Sequence, residues 1–174
     1  MPDMLVRLYA LPPLAPHLER LRQERLEVRR ARPDEARLVA GWAAREFAPR
    51  WGDECAACFA LRPVSCHVAV ELQGERPASG GGYDLPRETL CGFACHDVVA
   101  RGMFGPTGVA EPWRGRGLGT ALLLAALHDM AACGYGYAVI ARVGPVDFYQ
   151  RAVGATVIAG SEPGVYRGRL DVGD

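Results

Sequence analysis

The sequence has no surplus of charge: 20 Lys and Arg residues balance 20 Asp and Glu, for a formal net charge of zero. Bulk attraction to nucleic acid or to an anionic membrane surface is therefore not expected. Long apolar runs are missing as well. The longest, Cys55–Leu61 and Ala121–Leu127, fall far short of the roughly 20 residues of a membrane-spanning helix. The N-terminus has no charged-then-apolar stretch with a small-residue cleavage site, so a cytoplasmic protein is expected. There is no internal repeat. Metal-ligand spacing is incomplete: Cys55-x-x-Cys58 is half a zinc site, and only the scattered pairs Cys66-His67 and Cys95-His96 are on hand to complete it. No metal is expected, and the six cysteines, Cys91 and Cys133 included, read as reduced thiols on core helices and strands. What is present is a globular composition. Apolar residues make up 49% of 174 positions, enough for one domain with a sizeable core.

The stretch Gly102–Gly134 organises the chain. An extended run, Met103–Ala110, leads into a turn, Glu111–Gly117, and the turn opens a long apolar helix, Leu118–Cys133. Gly115, Gly117 and Gly119 stand at alternate positions around the helix start, where a missing side chain lets backbone approach a ligand closely. The first amides of a helix have no intrahelical partner and donate readily to an anion. Arg114 and Arg116 add positive charge to the same turn. The physical reading is a pyrophosphate cradle.

Around it the chain alternates strands and helices. Residues 4–10 read as a short strand, Pro16–Arg25 as a short amphipathic helix and Leu26–Ala31 as a strand. Asp34–Phe47 is a helix ended by Pro49, and Gly52–Leu61 a second one. Ser65–Leu72 alternates cleanly, as a half-buried strand does. Residues 73–88 are a long polar connection. Thr89–Asp97, Tyr137–Val143 and Ala155–Ala159 read as strands, Val146–Val153 as a short helix, and Gly164–Leu170 as a possible last strand. Residues 1–25 look like an appendage or subunit contact, with a homodimer possible, and 26–174 like the domain proper.

The motif V-A-E-P-W-R-G-R-G-L-G-T at Val109–Thr120, lying between strand and helix, and F-Y-x-x-x-x-G-A at Phe148–Ala155 resemble the GNAT superfamily, the Gcn5-related N-acetyltransferases. Arg114-Gly115-Arg116-Gly117-Leu118-Gly119 meets that family's acetyl-CoA signature, and the resemblance spans about residues 26–159. It implies an α/β fold, α+β in some schemes. The sheet would be mixed and mainly antiparallel, with about six or seven strands and about four or five flanking helices. Two central strands, Met103–Ala110 and Tyr137–Val143, would splay apart. Acetyl-CoA would be the co-substrate, its pantetheine beside Thr107, Val109 and Ala110 and its pyrophosphate on Arg114, Gly115, Arg116, Gly117, Leu118, Gly119 and Thr120. Tyr149 would be the general acid that protonates the leaving thiolate. The family's base carboxylate is missing from Met103–Ala110, which leaves Asp97 and His96, with Glu111 behind them. Four residues separate Tyr149 from Gly154 where the family often has three, and no asparagine or serine precedes its helix.

The acceptor is read only loosely. Trp51, Asp53, Tyr83 and Trp113 are candidates to line its site, and a small primary amine or amino-acid-like molecule is the default. The leading expectation is an N-acetyltransferase working by direct attack through a tetrahedral intermediate. A non-catalytic acyl-CoA-binding or sensing module on the same fold is the alternative. A nucleotide-binding protein ranks below both, since Gly115-x-Gly117-x-Gly119 is neither G-x-G-x-x-G nor a P-loop.

Overall fold

The computed structural model describes residues 1–75, 86–168 and 170. In chain order the strands are β1 (Met4–Arg7), β2 (Leu26–Arg30), β3 (Cys66–Glu75), β4 (Pro86–His96), β5 (Met103–Val109), β6 (Tyr137–Ile140) and β7 (Thr156–Val157). The helices are α1 (Ala15–Gln23), α2 (Ala36–Glu46), α3 (Pro49–Cys58), α4 (Leu118–Ala132) and α5 (Val146–Val153). The strands form one seven-stranded sheet in the order β2-β3-β4-β5-β6-β1-β7. Every pairing is antiparallel except β5 with β6, which α4 joins as a parallel crossover. The mixed, mainly antiparallel α/β architecture read from the sequence is the one observed.

Two cores lie on the two faces of this sheet. Side chains alternate along β3: Val68 and Val70 join Val39, Ala43, Cys55, Cys58 and Phe93 under α2 and α3, whereas Ala69 joins the core under α4. Helix α4 has Ala121 to Leu127 buried without interruption, as its all-round apolar sequence requires. Leu124→Ala should cost about 2–5 kcal/mol, because the site is closed on every side and cannot collapse; urea unfolding would measure it.

Local stops act where chemistry places them. Gly154, at φ 62°, ends α5, and Gly134, at φ 95°, follows α4. Pro49 differs from expectation: it is the first residue of α3, where its missing N–H is not needed, so that helix starts before the expected Gly52 and takes in Arg50 and Trp51. Gly164–Tyr166 is a 3-10 turn and not the strand expected over Gly164–Leu170. Residues 1–25 are woven into the sheet. β1 lies between β6 and β7, its Met4 and Val6 are fully buried, and α1 buries Leu21 in the α4 core.

Candidate active site

β5 and β6 pair only at Met103↔Val139 and Phe104↔Ile140. Beyond Phe104 the strands part, the splay that the family resemblance implies. A register shift against β4 between Ala94 and His96 places two β5 residues, Gly105 and Pro106, opposite Cys95 alone. Ala110 N–H donates to the Cys91 carbonyl at 2.9 Å. Backbone groups alternate along a strand, so Gly108 faces β4 with Ala110, while Thr107 and Val109 turn theirs toward the gap. The Val109 carbonyl accepts from Arg114 Nε at 3.0 Å, in keeping with that direction. Gly108 is glycine for a packing reason as well. A Cβ there would stand 2.5 Å from the ring of Phe47.

The gap runs to the glycine turn. Gly115 and Gly117 have φ of 77° and 85°, the left-handed region that glycine enters without strain. Gly117 is the N-cap of α4 and no side chain caps that end, which leaves the Leu118, Gly119 and Thr120 amides for an incoming anion. A Cβ on Gly119 would lie 3.9 Å from Phe148, an ordinary van der Waals contact, so α5 packs beside this helix start without crowding it.

Charge around the turn is arranged differently from the sequence reading. Arg116 Nε binds Glu24 at 3.0 Å, and its NH1 lies 3.7 Å from Glu71, so two carboxylates share its charge. A third arginine takes its place: Arg20 of α1 lies over Gly117, where an added Cβ would come within 1.9 Å of Arg20 NH2. Nothing local marks Arg20, which sits far upstream on a helix of ordinary amphipathic pattern.

Tyr149 stands where the two strands begin to part. Its ring meets Phe104, the last β5 residue still paired to β6, edge-on at 6.5 Å, and Phe148 at 4.9 Å. It is buried, and burial pushes its phenol up to about 12, so it is fully protonated at neutral pH.

The two expected base candidates are engaged elsewhere. His96 Nε2 lies 2.9 Å from Asp129 Oδ2 and its Nδ1 3.3 Å from Asp97 Oδ2. Asp97 also accepts the Gly102 N–H at 2.6 Å, in a turn with its own φ at 62°. On the acceptor side, Trp51 packs against Phe47 at 5.1 Å and Phe93 at 6.0 Å, beside the gap strand. Asp53 is exposed on α3, Trp113 packs on the α4 core, and Tyr83 lies outside the described residues. A cleft of about 620 Å³ opens elsewhere, beside Arg29, Glu35, Leu38, Trp42, Glu88 and Leu90. Neither Tyr149 nor the glycine turn lines it.

The acetyltransferase (GNAT) family profile matches residues 37–155. No curated protein matches the chain. Among solved structures, a GCN5-related glucosamine N-acetyltransferase region of a fungal multi-domain β-N-acetylglucosaminidase superposes with TM-score 0.65 at 17% identity, over 90% of this chain and 19% of that one. A GCN5-related N-acetyltransferase from Sphaerobacter thermophilus gives 0.59 at 21% identity, over 90% and 48%. A Drosophila protein gives 0.57 at 15%, over 90% and 47%. This chain thus spans less than half of each solved chain, and at such identities the likeness is one of fold. The profile covers most of the chain, from α2 through α5, and with it the fork and the glycine turn: the chain belongs to the GNAT acetyltransferase family.

Proposed function

We propose that this protein transfers an acetyl group from acetyl-CoA to a primary amine. The observation that carries the reading is the β5–β6 fork, with an uncapped helix start at one end and a buried, protonated tyrosine at the other. The family's general use of acetyl-CoA and its profile over residues 37–155 support it.

Acetyl transfer forms a bond from the amine nitrogen to the thioester carbonyl carbon, passes through a tetrahedral oxyanion and breaks the carbon–sulfur bond. In this reading the amides of Leu118, Gly119 and Thr120 hold the pyrophosphate, with Arg20 above them. The backbone of Thr107 and Val109 aligns the pantetheine along the gap, and an amide there donates to the oxyanion. Tyr149 gives its proton to the departing sulfur and recovers one from the former amine nitrogen, which sheds a proton as the amide forms. The amine must be neutral to attack; His96 and Asp97 are held by other partners, so its proton leaves to water.

Acetyl-CoA at a hundred times its dissociation constant should stabilise the fold by about 2.7 kcal/mol through mass action. A folded protein whose melting temperature does not move at millimolar acetyl-CoA would remove the cofactor from this reading. A panel of amines with free-thiol detection tests the transfer itself. It should include amino sugars, since one solved neighbour is described as a glucosamine N-acetyltransferase region. Thiol release with at least one amine is expected; a thermal shift without release from any would favour the acyl-CoA-binding module.

A further inference from the structure

We propose that His67, His96 and Asp129 form a site for one divalent ion of the zinc class. The site is separate from acetyl transfer. β3 and β4 pair with Cys66 opposite Cys95 and His67 opposite Ala94. Side chains alternate, so the two cysteines enter the core under α2 and α3, and the two histidines emerge together beneath α4. There α4 brings Asp129 over them. One ligand atom from each of the three residues lies within 4.8 Å of the others. Asp129 is eleven residues beyond Leu118, about 16 Å along the helix from the glycine turn.

Three observations point to an ion. First, His67 is 6% exposed, its imidazole hydrogen-bonds no described group, and its Nδ1 is buried without a partner. Its imidazole lies stacked on that of His96, with ring centroids 6.3 Å apart. Unpartnered buried nitrogens are rare because nothing offsets their lost hydration; a metal ion supplies the missing partner. Second, the surroundings have the form of an outer ligand shell. His96 has Asp129 at Nε2 and the Asp97 carboxylate at Nδ1, the arrangement that orients a metal-bound imidazole. Arg30 pairs with the other Asp129 oxygen and leaves Oδ2 to face the histidines. Third, the charge is suitable. Two imidazoles, which bring nitrogen lone pairs, and two carboxylates, one of them offset by Arg30, favour a dication.

A tetrahedral ion about 2.0–2.1 Å from each donor holds its ligand atoms about 3.3 Å apart. The His96–Asp129 pair at 2.9 Å needs only to open slightly, and any wider separation, all being within 4.8 Å, to close. Three protein donors leave the fourth position to water. The ion would clamp β3 and β4 to α4 and make His96 a ligand, with no part in proton transfer. Neither half of the site is a metal motif by itself: Cys66-His67 and Cys95-His96 lie apart in sequence, and Asp129 sits within an apolar helix.

The test uses the full chain, stripped with EDTA and titrated with Zn²⁺ or Co²⁺. The structure leads us to expect about one bound equivalent by mass spectrometry. At a hundredfold excess over the dissociation constant, the melting temperature should rise by about 5–10 °C. Cobalt should give ligand-field bands with no thiolate charge-transfer band. His67→Leu loses no hydrogen bond, so it should fold as well as the parent while losing metal binding and the zinc-dependent shift; His67→Gln repeats the test with a polar side chain. Cys58→Ser should bind as the parent does. The proposal is overturned if the parent chain binds no zinc, or if either His67 variant binds it undiminished. It is also overturned if cobalt shows thiolate ligation, which would move the ion to the buried cysteines around Cys55 and Cys95.

Discussion

Tyr149→Phe should lower kcat by about 10²–10⁴-fold, the usual worth of a positioned general acid, while acetyl-CoA binds with nearly unchanged affinity. The split follows from the surroundings of the ring. Its aromatic contacts with Phe104 and Phe148 survive loss of the hydroxyl, and no described group depends on a hydrogen bond from it. The variant should therefore keep its fold and its acetyl-CoA-dependent thermal shift. Because burial holds the phenol at about 12, above its ordinary value near 10, Tyr149 stays protonated throughout the working range. Its loss as an acid enters only as pH rises toward 12, so a limb in the kcat profile between about 6 and 9 would belong to another group. Equal turnover in parent and variant, measured by thiol release under saturating substrates, would show that the leaving thiolate takes its proton from elsewhere.

Gly117→Val should weaken acetyl-CoA by about 10²–10⁴-fold, the equivalent of two amide-to-anion hydrogen bonds at about 1.5–3 kcal/mol each. Gly117 is at φ 85°, a region a β-branched residue enters only with strain of about 1–3 kcal/mol. The new Cβ would also occupy the place of Arg20 NH2. Arg20 is flexible and can swing away, but doing so removes its charge from above the α4 amides. Relief of the strain must rotate the turn, and the amides of Leu118 and Gly119 turn with it. Gly134→Val provides the control. It has a comparable φ of 95° at the other end of α4, with nothing within 4 Å of the added Cβ. It should cost stability and leave acetyl-CoA affinity alone. Equal effects of the two substitutions, measured by calorimetry, would show that general strain and not the cradle is at work.

Much of the site was readable before folding because its parts are local. The Gly115-x-Gly117 turn, the all-apolar α4 and the α5 helix with its glycine stop each lie within a few residues of the groups that define them. So does the Gly105-Pro106 bulge, since a strand with a glycine–proline pair has poor ladder capacity at that point. Pro49 was readable in principle but ambiguous. A proline both stops one helix and starts the next, and only the packing of Gly52 against Ala44, with an added Cβ 2.7 Å away, shows why the second helix must begin so soon.

What the amino-acid order by itself determined is the set of local conformations: where glycine permits a left-handed turn, where apolar residues run without interruption and where proline removes a donor. Those are decided by sterics and hydrogen-bonding capacity within a few residues. Only the tertiary structure decided which distant groups meet. β1 enters between β6 and β7, which no local pattern in Met4–Arg7 requires. Arg116 is drawn to Glu24 and Glu71 while Arg20 moves over the glycine turn, an exchange set by how α1 packs beside α4. Likewise His67, His96 and Asp129 share one place because strand register and helix position bring them there. Charge and ligand chemistry act through space, and the spacing of these residues along the chain carries no trace of it.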